Sequence, residues 1–183
     1  MGLKVSSFAQ FIKQPVQGLF VEIGSDRGQG STEILADMAQ KFGSKLVTVD
    51  ISDRAKEQWS KTLPQVEFVV QKGSEWAESF SGLISCLFLD NYDYVKAPSE
   101  VAENEWIWQK YTNHSNQESQ LEHFKQIMAL ESKMAINSII CCDDTYLANG
   151  VWVGKCGPAV SWLLIKKWRM VDIQAHGVIL SRD

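Results

Sequence analysis

Four apolar runs in this chain end in carboxylates. Glu22 lies in "GLFVEIGS", Asp50 closes "KLVTVD", Asp90 follows "ISCLFL", and Asp143 and Asp144 follow "NSIICC". The first run leads into a turn with glycines at Gly24, Gly28 and Gly30 and a further acid, Asp26. Glycines permit positive φ and let a ligand approach the backbone closely. Such a turn receives either a phosphate or a positively charged group, and spacing and charge decide between them.

Neither common phosphate motif fits. GxGxxG requires a third glycine, but Gly24 is followed by Asp26, and Gly28-Gln29-Gly30 by Glu33 at the last position. A P-loop requires GxxxxGK[ST]; "GVWVGKC" at 150–156 is one residue short and lacks the metal-binding hydroxyl. A pyrophosphate on the first turn would also face Glu22 and Asp26, an unfavourable like-charge contact. Asp50 follows the last loop glycine at the distance where an acid hydrogen-bonds ribose hydroxyls in nucleoside-binding sheets. A cationic ligand with a ribose and no phosphate meets these conditions, and S-adenosylmethionine is such a molecule.

The elements that position these acids alternate. Strands are expected at "GLFVEIGS", "KLVTVDI", "VEFVVQK", "ISCLFLDN" and "NSIICCDD". Helices are expected at "STEILADMAQKFG", "SDRAKEQWSKTL", around 75–80, and at "ESQLEHFKQIMALESKM", with Leu121, Phe124, Ile127, Met128 and Ala135 on or near one face. "NGVWVGKCGPAV" reads as a Gly-rich loop entering the helix "AVSWLLIKKW", and "RMVDIQAHGVILSRD" as two strands around Gly177. This order predicts an α/β fold: a doubly wound, mostly parallel seven-stranded sheet, Rossmann-like, with an antiparallel C-terminal hairpin. In such a sheet ligands bind at the carboxyl ends of strands where strand order reverses.

"VEIGSDRGQGST" resembles the first motif of class I S-adenosylmethionine-dependent methyltransferases, acid-x-Gly-x-x-x-Gly, and the strand order extends the resemblance over nearly the whole chain. The resemblance implies Glu22, Gly24, Ser25, Asp26, Gly28 and Ser31 around the methionine part of the cofactor. It also implies Asp50 and Ile51 at the ribose, Gly73 and Ser74 of "QKGSEW" at the adenine, and Asp90 bordering the same ligand.

In this topology Asp90, Asp143 and Asp144 open onto one crevice. Carboxylates that converge need protons or a cation between them, and oxygen-rich sites suit Mg²⁺ or another hard divalent cation. The pattern resembles metal-dependent O-methyltransferases of the catechol, macrolide-sugar and cephalosporin-hydroxylase-like groups, which implies Asp90, Asp143 and Asp144 as metal ligands. Those families place a Lys or His base three residues after the first Asp; here that position is Asp93, with His123 as a reserve base. Helix capping or a loop hydrogen bond with Thr145 is the other role open to the Asp143–Asp144 pair. Lys155 is expected at the crevice rim, where it offsets the acids or meets an anionic substrate group.

The 183 residues suit one domain, 1–183, with 92–117 as a lid or substrate-binding insertion carrying Trp106, Trp108 and Tyr111; a packed surface loop or a homodimer contact is the alternative for that segment. A net charge of −4 without a basic stripe argues against nucleic acid as a partner. No stretch has the length of a membrane span. The four cysteines lie outside CxxC pairs, three of them in apolar runs, and point to a reducing, cytoplasmic compartment. The expected activity is S-adenosylmethionine-dependent, metal-assisted O-methylation of a small hydroxylated molecule. The alternatives are a metal-independent N-methyltransferase and a non-catalytic member that binds a nucleoside or a partner.

Overall fold

The computed structural model describes residues 3–25, 30–91 and 115–182. Asp26, Gly28, Asp93 and nearly all of the segment 92–117 lie outside the described residues. The chain runs β1 (Leu19–Ile23), α1 (Ser31–Lys41), β2 (Leu46–Asp50), α2 (Arg54–Trp59), β3 (Glu67–Val70), α3 (Gly73–Ser79) and β4 (Ile84–Leu89). It continues with α4 (Asn116–Leu130), β5 (Met134–Asp143), β6 (Thr145–Ala148), β7 (Val151–Gly154), α5 (Gly157–Ile165), β8 (Arg169–Gln174) and β9 (Gly177–Ser181).

Seven strands form one sheet in the order β3-β2-β1-β4-β5-β9-β8. The first five are mutually parallel, and β9 is antiparallel to both β5 and β8. The expected mostly parallel sheet with a C-terminal hairpin is therefore present. β1, β2 and β4 are buried almost throughout because helices cover both faces, whereas β3 is an edge strand and half open. Side chains alternate across the sheet. Val21 and Ile23 of β1 face a core completed by Trp76, Ile127, Val160 and Leu163, while Phe20 faces Leu35, Ala39 and Phe88 on the other side. By the same alternation Glu22 shares the face of Phe20, toward α1.

Three elements differ from the sequence expectation. First, the expected loop after β5 is an antiparallel hairpin, β6–β7, with Thr145 paired to Gly154 and Ala148 to Val151. Its turn is Asn149-Gly150, both at positive φ (51° and 78°), the backbone required by a tight two-residue hairpin turn.

Second, α4 starts at Asn116 behind a Ser115–Glu118 capping box and ends at Leu130, before a 3₁₀ turn at Glu131–Lys133. Leu121 and Met128, expected on its buried face, are about half exposed at 52% and 50%. The face turned inward carries Ser119, Glu122, His123, Gln126, Ile127 and Leu130, because part of what it packs against is the polar start of α3.

Third, Val5–Phe11 is a 3₁₀ helix for which no element was expected; its Phe8 is fully buried, with its ring 5.6 Å from that of Phe88. Just ahead of it, the Leu3 N–H donates to Asp143 Oδ1 at 2.5 Å, and the Leu3 side chain lies over Gly177, where a Cβ would strike it.

Candidate active site

Strand order reverses around β1, which has β2 on one side and β4 on the other. At this point Gly24 N–H donates to the Val49 carbonyl and Asp90 N–H to the Ile23 carbonyl, both at 2.9 Å. The ends of β1, β2 and β4 are thereby tied into one rim. Gly24 has φ +102°, and a Cβ there would lie 2.5 Å from Asn91 Cα and the Asp90 carbonyl carbon. The glycine is needed because the chain leaving β4 passes directly over it.

Glu22 sits beneath this rim and is completely buried. Its Oε2 accepts from the Thr32 and Thr48 hydroxyls, each at 2.7 Å. Its Oε1 is buried with no hydrogen-bond partner among the described residues. Burial raises the carboxyl above its ordinary value, and the Thr48 and Thr32 hydroxyls hold it down only in part. A buried, half-satisfied acid beside a ligand-binding turn suits a cationic ligand, which would favour the ionised form. The native state binds more protons at Glu22 than the unfolded chain does, so this stabilisation is complete below the unfolded pKa and is lost as pH rises through the raised native one. Glu22→Gln keeps an acceptor for both threonines. Without ligand, the wild type should lose stability relative to this variant as pH rises from 4.5 toward and beyond neutrality, read as thermal midpoints across a pH series.

Asp50 ends β2, where its Oδ1 accepts from Ser52 N–H at 2.8 Å. Ile51 beside it is 53% exposed. Gly73 and Ser74 open α3 and have a structural task of their own. A Cβ on Gly73 would press 2.6 Å against Gln126 Nε2 and Ile23 Cγ2, and Ser74 N–H donates to Glu122 Oε1 at 2.9 Å. Burial raises the Glu122 carboxyl, but the Ser74 donors and nearby Lys72 outweigh it and leave it below its ordinary value. Glu122 was not among the expected site residues, and no local motif marks it, because its partner lies 48 residues away. Ser25 is buried and Ser31 half-buried at the first turn of α1.

Asp90, Asp143 and Asp144 come together, with one carboxylate oxygen from each within 4.8 Å of the others. A fourth group stands among them. The Lys155 ammonium lies 2.6 Å from Asp90 Oδ1 and 3.3 Å from Asp144 Oδ2, and Lys155 is only 1% exposed. Burial, with like charge from Asp143 and Asp144 added, holds the Asp90 carboxyl up at about 8, against the pull of Lys155. Burial likewise raises Asp143, opposed by the Leu3 N–H and Lys155. Protonation of Asp90 and of Asp143 therefore depends on the charges beside them. The three oxygens are hard donors suited to Mg²⁺. With Lys155 where it stands, however, a divalent ion on the same oxygens would be in near contact with an ammonium in a partly dry setting. The set does not fit a divalent cation while Lys155 is in place.

His123, the reserve base, is fully buried, with Nδ1 2.7 Å from the Ser119 carbonyl of its own helix. That position suits a core histidine and not proton exchange with a substrate. Asp93 lies outside the described residues.

No family model matches the chain, and no curated protein matches it. Solved structures do. A TDP-rhamnose 3'-O-methyltransferase of calicheamicin biosynthesis aligns with TM-score 0.59 at 12% identity, over 97% of this chain and 76% of its own. A protein from Streptococcus mutans described as a methyltransferase, solved with SAH, aligns with TM-score 0.58 at 10% identity, over 99% of this chain and 98% of its own. An rRNA methylase from Streptococcus thermophilus aligns with TM-score 0.54 at 10% identity, over 96% and 94%. The chain thus has the Rossmann-like fold of class I methyltransferases. These neighbours give no support to the exclusion of nucleic acid drawn from net charge, since one is an rRNA methylase. Among the described residues no helix is long and apolar enough to cross a membrane.

Proposed function

We propose that this protein is an S-adenosylmethionine-dependent methyltransferase acting on a hydroxyl of a small molecule. The observation that carries the proposal is Glu22: fully buried at the switch point of the sheet, doubly bonded through one oxygen and, among the described residues, without a hydrogen-bond partner at the other. A sulfonium nucleoside brings the positive charge such an acid lacks, and its ribose hydroxyls suit Asp50 at the neighbouring strand end. The Streptococcus mutans neighbour, solved with SAH, supports this choice of ligand.

In the proposed reaction the acceptor oxygen attacks the methyl carbon in line. The C–O bond forms as the C–S bond breaks, and the sulfur leaves with the electron pair as the neutral thioether. The acceptor proton passes to a carboxylate of the Asp90–Asp143–Asp144 group or to water. Most of the rate enhancement comes from holding the two reactants aligned. A divalent cation would lower the pKa of the acceptor hydroxyl, but no step is assigned to one here because Lys155 stands among its ligands. RNA is the second acceptor class, favoured by the rRNA methylase neighbour and disfavoured by the net charge of −4.

Calorimetry tests the cofactor. S-adenosylmethionine and its demethylated product should bind, and NAD and ATP should not. Asp50→Ala should weaken binding roughly 10- to 100-fold, the range for hydrogen bonds to a charged group. Tight uptake of NAD or ATP, with no heat from either sulfur nucleoside, would overturn the proposal. Methyl transfer from labelled cofactor to hydroxylated small molecules, or instead to rRNA, distinguishes the acceptors.

A further inference from the structure

We infer that Lys155 is the resident cation of the acidic crevice, standing where a divalent ion would stand, so that this site works without a metal. The inference deepens the proposed function by naming what balances its carboxylates. Its test needs neither cofactor nor acceptor, and it can fail while that proposal survives.

The local chain is built to deliver this side chain. The β6–β7 hairpin leaves Asp144 and returns to it, and Lys155 N–H donates to the Asp144 carbonyl at 3.0 Å. Asp144 has φ +43° and Gly154 φ +89°; any Cβ on Gly154 would collide with the Asp144 carbonyl oxygen. The Thr145 hydroxyl donates to the Asp143 carbonyl at 2.8 Å and accepts from Cys156 N–H at 3.0 Å. Gln120 of α4 donates to the Gly154 carbonyl at 3.0 Å and fastens the end of the hairpin. The residues on both sides of Lys155 are thus fixed to the strand end that carries Asp143 and Asp144.

Lys155 itself is buried, and its ammonium contacts Asp90 Oδ1, Asp144 Oδ2 and, at 3.4 Å, the Asp90 carbonyl. A buried ammonium is stable only when paired in this way. It spans the end of β4 and the residue after β5, the two places that a bridging metal would have to join. A divalent ion and this ammonium compete for the same oxygens, and the covalently attached one is present at all times.

The test is Mn²⁺ binding, read from loss of the free-ion paramagnetic resonance signal, in the whole chain. Wild type should leave Mn²⁺ free. Lys155→Ala should bind one Mn²⁺ per chain, roughly 100-fold or more tighter than wild type, because a like charge in near contact has been removed. Adding Asp144→Asn to that variant should release the ion. Lys155→Gln, which keeps the length of the side chain but not its charge, should behave as Lys155→Ala does. If either variant is unfolded alone, Mn²⁺ should restore its fold, visible by circular dichroism.

Two results would overturn the inference. One is a wild type that binds Mn²⁺ and loses it on Asp144→Asn. The other is variants that bind no ion and gain no fold from it, which would make Lys155 an ordinary ion-pair partner.

Discussion

Lys155→Ala should lower the free energy of unfolding by about 3–5 kcal/mol at mildly alkaline pH, above the value of about 8 at which Asp90 ionises, the range for breaking a buried ion pair from one side. The substitution removes the charge that faces Asp90 and Asp144 and leaves three acids, one of them buried, with oxygens within 4.8 Å of each other. Lost packing of the buried stem adds to the cost. The pH dependence separates charge from packing. Asp90 is already raised from 3.8 to about 8, chiefly by burial, so its native state holds a proton that the unfolded chain releases, and the associated stability fades as pH rises through that interval. Removing the ammonium takes away the one influence that draws protons off. Acidification should then narrow the gap between variant and wild type: the protonated acids need no counter-ion, while the wild-type ammonium loses its partners. Urea unfolding at mildly alkaline and mildly acidic pH, on either side of the Asp90 ionisation, reads this directly, and a gap that does not change with pH would mean that packing alone is at work.

Gly24→Ala should be the second severe substitution, with a cost of about 3 kcal/mol or more from positive φ and overpacking together. The added methyl has no flexible side chain to displace, since it would meet the backbone of Asp90 and Asn91. Gly30 provides the contrast. It too has positive φ, +87°, but among the described residues no heavy atom would lie within 4 Å of its Cβ. Gly30→Ala should therefore cost only the conformational share, about 1–2 kcal/mol. Denaturant midpoints of the two variants separate strain from collision. Because the collision falls on the rim shared by β1 and β4, Gly24→Ala should also weaken cofactor binding.

The strand ends were legible in the sequence because an apolar run that stops at an acid is a local signal. Glu22, Asp50, Asp90, Asp143 and Asp144 all stand at the carboxyl side of the sheet for that reason. The period of α4 misled because part of its buried face satisfies polar partners: Glu122 answers the open N–H at the start of α3, a need written 48 residues upstream. The hairpin carried a local signal, Asn149-Gly150, but the three glycines at 150, 154 and 157 suggested a loop more strongly than Val151, Trp152 and Val153 suggested a strand. Gly154 and Gly157 serve instead as points of close approach: a Cβ on Gly154 would strike the Asp144 carbonyl, and one on Gly157 would lie 2.5 Å from the Trp152 carbonyl oxygen. The contact between Lys155 and Asp90 joins residues 65 apart and has no local trace at all.

The bond from Leu3 N–H to Asp143 bears on how this protein is handled. Leu3 is 7% exposed and fills the space over Gly177, so this residue is masonry at the foot of the acidic crevice. Any change that displaces the Leu3 backbone should therefore reach the acids of the crevice through Asp143.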